Sequence, residues 1–219
     1  MICRKTEIIL KEGWGYLGVI FFFTVVFLFL GYSFLAFISI LLLAFTAFVF
    51  RNPERVPDEL DEFSLLSPID GEVVYIGKVY EDSHYNKEML KIAIKNTILD
   101  TSLVRNPLDL QIKSVESIHG LNLPIDSQKA KFLNERLTIV AACEYGDVLI
   151  RVLAGSCTRK IYKICENYKK VRKGDRNLIL VNGEVELFLP LECRVKVVEG
   201  ERVKAGESVL GYFLNDKQK

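Results

Sequence analysis

Residues 154–161 read AGSCTRKI, and at their centre Gly155 precedes Ser156. A serine hydroxyl placed after a glycine can attack the carbonyl before it, and the resulting ester can eliminate to leave a pyruvoyl group. Such a group is an electron sink made from the chain itself. The chemistry needs a base for the hydroxyl proton, a group that orients the base, and donors for the developing oxyanion. The competing reading is a serine near a strand end whose hydroxyl bonds to nearby backbone. Two histidines are available as bases. His84, in EDSHYN, falls on a solvated turn, and His119, in SIHG, precedes a glycine turn. Asn182-Gly183 reads as a hairpin turn signal.

Composition bounds the rest. A chain of 219 residues suits one globular domain plus an appendage. Lys+Arg 29 against Asp+Glu 28 leaves a net charge of +1, so no basic field points to nucleic acid. Cys3, Cys143, Cys157, Cys165 and Cys193 are scattered without a C-x-x-C pair. With two histidines beside them they do not spell a zinc site, and no metal is expected. A reduced, cytosol-facing domain follows.

The apolar excess lies in residues 14–50, a stretch without a charge. It is nearly twice the ~20 residues one spanning helix needs. Gly31-Tyr32-Ser33 interrupts it, which predicts a membrane anchor over 1–50 made of two short helices, about 14–30 and 34–50. Basic residues flank both ends (Arg4, Lys5 and Lys11 before, Arg51 and Arg55 after) and would put both ends on the cytosolic side of the cytoplasmic membrane. A shallow re-entrant anchor is the alternative.

From about residue 55 the chain changes to short alternating runs broken by turns. Strands are predicted at 72–80, 90–95, 137–143, 147–154, 177–181, 184–190, 193–198 and 208–213. Residues 121–136 read as an exposed loop with one helical turn. The expected fold is an N-terminal transmembrane α-hairpin followed by a mostly antiparallel all-β domain over 51–219. Within it, SPIDGEVVYIG and VEGERVKAGESVLGYF resemble the half-motifs of biotinyl and lipoyl modules in architecture, without a carrier lysine.

The order of motifs resembles the short, membrane-anchored phosphatidylserine decarboxylases. FVFRNPER (48–55), SPIDG (67–71), LDTSLVRNP (99–107), LAGSCTRKI (153–161), KGDR (173–176), EVELFLP (184–190) and VEGERVKAGES (198–208) follow the family sequence of F-F-R-[DN]-P-x-R, S-P-x-D-G, F-D-V-H-V-N-R-x-P, I-A-G-x-x-A-R-[RK]-I, R-G-E-R, R-V-D-V-Y-L-P and a closing glycine-rich hairpin. The resemblance implies that fold, a pyruvoyl cofactor, and decarboxylation of phosphatidylserine. It also implies three groups: the serine of F-G-S-R, the histidine of D-V-H-V-N-R, and the aspartate of S-P-x-D-G.

Asp70 supplies the aspartate. Ser102 stands where the histidine belongs, and a hydroxyl cannot act as a base near neutral pH as an imidazole can. Asn182 and Gly183 stand where Gly-Ser belongs, and no serine, threonine or cysteine lies between Asn177 and Pro190. The resemblance therefore implies a family member without pyruvoyl chemistry, binding membrane phospholipid or partnering an active decarboxylase, a phosphatidylserine synthase or itself. Headgroup candidates are Arg51 and Arg55 beside the anchor, and Arg105, Arg159 and Lys160 from the motifs, since an arginine fork suits phosphate. The alternative is an active enzyme making phosphatidylethanolamine, its pyruvoyl relocated to Gly155-Ser156 with Asp70 retained. The third reading is a plain interaction module.

Overall fold

Where the first helix stops is decided at Gly31, whose φ of 75° is a conformation glycine adopts without a Cβ penalty. The computed structural model describes residues 9–57, 61, 63–127, 129–156, 158, 161–163 and 169–213, with the backbone alone at 11, 12, 162 and 163. Arg159 and Lys160, and the cysteines at 3, 157 and 165, lie outside the described residues. The chain divides into two compact units, one spanning residues 5–54 and the other beginning at Arg55.

In the first unit, helix α1 (Lys11–Phe29) turns at Gly31 into helix α2 (Ser33–Val49). The two pack on each other through Ala36 and a buried hydrogen bond between the hydroxyls of Thr24 and Ser39. This hairpin corrects the expected transmembrane one: among the described residues, no helix is long and apolar enough to cross a membrane. The physical reason is the Gly31 turn. It leaves α2 only 17 residues, a rise of about 26 Å against a hydrocarbon core of about 30 Å. The 19 residues of α1 include Lys11, Glu12 and the half-polar Gly-Trp-Gly-Tyr run at its start.

The second unit is mostly antiparallel β. An eight-stranded sheet runs in the order β13 (Arg202–Val203), β2 (Gly71–Glu81), β3 (Lys87–Asn96), β11 (Gly183–Leu189), β7 (Gly146–Ala154), β6 (Arg136–Cys143), β5 (Leu110–Ile118) and β9 (Lys170–Val171). Two three-stranded sheets flank it. One is β1 (Ser64–Leu66), β14 (Val209–Phe213) and β12 (Cys193–Val195); the other is β4 (Leu103–Arg105), β10 (Arg176–Ile179) and β8 (Tyr162–Lys163). Alternation decides which face is buried: Val73, Ile92, Ile94, Val152, Val185 and Leu187 point into one core cluster. The loop of 121–136 carries one short helix, α3 (Ala130–Leu133).

One sequence expectation fails on topology. Asn182-Gly183 does not close a hairpin, because β10 pairs with β4 and β8 while β11 pairs with β3 and β7. Gly183 is also absent from the glycines with positive φ, so the turn type that favours Asn-Gly is not used here.

Candidate functional site

The motif residues, far apart in sequence, converge at one end of the large sheet. Gly183 opens β11 and faces Asn96 at the end of β3 on one side and Ala154 at the end of β7 on the other. Gly71 opens β2, beside Lys95, in a spot where a Cβ would come 2.1 Å from the Lys95 carbonyl oxygen. Only glycine lets those two strands approach so closely. Asp70 is thereby delivered to the same end as Gly155-Ser156 and Asn182-Gly183.

The Asp70 carboxylate is buried and saturated with donors. Oδ1 accepts from Arg55 Nη1 and from the Ala205 N–H at 2.8 Å. Oδ2 accepts from Arg55 Nη2 at 2.7 Å and the Thr101 N–H at 3.3 Å. Burial alone would raise this carboxyl; the hydrogen bond from Arg55, the Ala205 N–H and the Arg55 charge outweigh it and hold Asp70 below the usual carboxylate range. Arg55 also donates to Thr101 Oγ1 at 3.3 Å and lies 3.8 Å from Glu207. Around this pair the S-P-I-D-G turn is stitched to the closing hairpin: Ser67 N donates to the Ser208 carbonyl and Gly206 N to the Ser67 carbonyl.

Ser102 follows directly. It is fully buried, and its carbonyl accepts from Leu180 N at 2.7 Å, which ties the position of the family histidine to the segment leading into Asn182. Asn96 completes the frame, donating through Nδ2 to the carbonyls of Asp70 at 2.9 Å and Thr101 at 3.3 Å.

The Asn182 carbonyl has two donors, the Gly155 N–H and the Thr158 hydroxyl, each at 2.9 Å. Thr158 Oγ1 in turn accepts from the Asn182 N–H at 3.1 Å. Asn182 Nδ2 donates to Ser156 Oγ at 3.4 Å. The Gly155 carbonyl accepts the Thr158 N–H at 3.1 Å. Beside this turn, His119 Nδ1 lies 3.9 Å from Glu135, whose backbone carbonyl accepts from Ala154 N. His84 sits at the other end of β2 from Asp70, between Glu81 and Glu116.

Three of the arginine candidates have partners within the protein. Arg55 is engaged by Asp70, and Arg105, 8% exposed, donates to the Gly174 carbonyl at 3.1 Å. Arg51 stacks 3.9 Å over the Phe48 ring and donates to that residue's carbonyl. Sequence reasoning missed Arg55 as the partner of Asp70, and missed Asn96, Thr101 and Ala205. Thr158 did carry a signal, since it occupies the alanine position of I-A-G-x-x-A-R-[RK]-I.

A family profile described as "Phosphatidylserine decarboxylase" matches residues 42–211. The chain is 30% identical over 210 residues to the phosphatidylserine decarboxylase proenzyme of Geotalea uraniireducens, covering 95% of this chain and 98% of the relative. It is 31% identical to that of Syntrophotalea carbinolica, with 92% and 95% covered, and 34% identical to that of Geobacter sp. strain M21, with 84% of each. The mostly antiparallel β unit, the motif order and these matches agree on one class of protein. The chain belongs to the phosphatidylserine decarboxylase family.

The implied pyruvoyl group does not fit the family position in this chain. Asn182-Gly183 offers no hydroxyl from which it could be made, and Ser102 offers no imidazole to activate one.

Proposed function

We propose that the protein is a catalytically degenerate member of the family that acts in phospholipid metabolism by binding phospholipid. The observation that carries this reading is the Asp70 carboxylate. All its acceptor capacity is committed to Arg55, Thr101 and Ala205, next to a serine where the base belongs. A carboxylate so engaged is a structural clamp rather than a base's orienter.

A cavity of about 640 Å³ supports the binding role. Leu110, Ala142 and Val171 line it, with the cations Lys170 and Arg172 beside the carboxylates Asp109, Glu144 and Asp175. Charges of both signs beside apolar side chains suit the phosphoserine headgroup, which carries an ammonium along with its phosphate and carboxylate. The exposed Phe22, Phe29 and Phe34 of the helical hairpin favour contact with a lipid surface, at the cytosolic face of the membrane. The test is flotation of the purified full-length chain with vesicles, beside a decarboxylation assay. Association with phosphatidylserine vesicles over phosphatidylcholine ones, without carbon dioxide release, is expected. Decarboxylation overturns the reading.

A second reading has its own observation. Ser156 is exposed, and the carbonyl it would attack already receives the Thr158 N–H, with the His119–Glu135 pair bordering the loop. An active decarboxylase, the activity named for the relatives, would then carry its ketone on a chain beginning at residue 156. A hydrazide label on that chain, lost in Ser156→Ala, is the outcome that would establish it.

A further inference from the structure

We infer that the Asn182–Gly183 peptide bond is a self-cleaving bond, cut by the side-chain amide of Asn182 rather than by a serine. The inference needs no pyruvoyl group and stands apart from the lipid-binding reading.

The Asn182 carbonyl is held by one backbone N–H and one hydroxyl, from Gly155 and Thr158, both at 2.9 Å. Two donors on one carbonyl oxygen are the arrangement that stabilises a tetrahedral oxyanion. The usual tie of such a carbonyl in a sheet is a single partner N–H; here the second donor is a side chain at a position the family motif fills with alanine. The nucleophile is already in the residue: Asn182 Nδ2, whose contact with Ser156 Oγ is long at 3.4 Å. The residue after the bond is glycine, so no side chain crowds the attack.

The step balances without a co-reactant. Nδ2 bonds to the Asn182 carbonyl carbon, the bond from that carbon to the Gly183 nitrogen breaks, and a proton from Nδ2 leaves on that nitrogen. One product ends at residue 182 in a succinimide, and the other begins with a free amine at Gly183. Together they weigh what the parent weighs. The familiar deamidation of Asn-Gly is disfavoured, because the Gly183 nitrogen would have to swing onto the Asn182 side chain. Gly183 is paired on both sides, to Asn96 and Ala154, and that motion would break the ladder.

The experiment is fragment mass spectrometry of the purified full-length protein during prolonged incubation at neutral pH. The expected result is a pair of chains meeting at 182/183, the first carrying a succinimide and neither carrying a ketone. Asn182→Ala abolishes the pair, Thr158→Val slows its appearance about 10²-fold, and Thr158→Ser restores it. An uncut chain overturns the inference, as does deamidation without a cut, or a 182/183 cut that survives Asn182→Ala. A ketone-bearing chain starting at residue 156 is a different event and bears on the second functional reading alone.

Discussion

Arg55 and Asp70, 15 residues apart, meet fork to carboxylate, with Arg55 Nη2 2.7 Å from Asp70 Oδ2 and Nη1 on Oδ1. The pair fastens the residue that opens the β unit to the turn that opens its longest strand. The resemblance implied a catalytic role for Asp70, and the flank of the apolar run made Arg55 a headgroup candidate; in the structure the two side chains bind each other.

Removing one partner leaves a buried charge without compensation. Arg55→Ala is expected to destabilise the protein by about 3–5 kcal/mol, read as a lower urea midpoint. The double change Arg55→Met with Asp70→Asn should recover part of that loss, since the uncharged amide oxygen still accepts a backbone N–H.

Acid should act through the same pair. The folded-state value of Asp70 lies below its ordinary one, so its contribution is fully present above the unfolded value of about 3.9 and is lost as pH falls through the lower folded value. Urea midpoints measured from pH 6 downward should decline below about pH 4, and the decline should be shallower in Asp70→Asn.

Glu184 runs the other way. It is 5% exposed, its Oε1 has no hydrogen bond, and Lys131 stands 3.9 Å off. Burial pushes its carboxyl up, against the pull of Lys131. A raised carboxyl stabilises fully only below its unfolded value of about 4.3 and loses that contribution as pH rises through the folded value. Glu184→Gln should therefore raise the denaturation midpoint at pH 7 and change it little at pH 3.5.

How much of this was legible in the sequence differs by element. The strands at 72–80, 90–95, 137–143, 147–154 and 184–190 announce themselves because their inward residues alternate along one face. β4 and β9 do not, since strands of three and two residues are too short to show a period. The apolar run of 14–50 signalled helices correctly but overstated their reach, because charge-free length ignores the Gly31 turn and the polar start of α1. In the site, Asp70 and Asn182 were found by motif order. Arg55, Thr101, Asn96 and Ala205 were not, because what unites them is tertiary: four segments meeting where β2, β3, β7 and β11 begin or end.

Restoring one family group should not restore chemistry. Ser102→His returns an imidazole to the histidine position, yet no hydroxyl or thiol lies between Asn177 and Pro190 for it to activate. No carbon dioxide release from phosphatidylserine is expected, measured beside the parent protein.

The cavity offers a binding test. Lys170→Ala with Arg172→Ala removes its cations, and vesicle association should fall about ten-fold, the equivalent of 1.4 kcal/mol. The unfolding midpoint should hold, since Lys170 and Arg172 are both exposed.

The most direct measurement is a ketone-specific hydrazide label applied to the purified full-length protein, read by intact mass together with phosphatidylserine turnover. The account predicts no labelled chain and no carbon dioxide, whether or not the chain is cut at 182/183. A labelled chain beginning at residue 156, appearing with decarboxylation, would contradict it and make Ser156 the source of the cofactor.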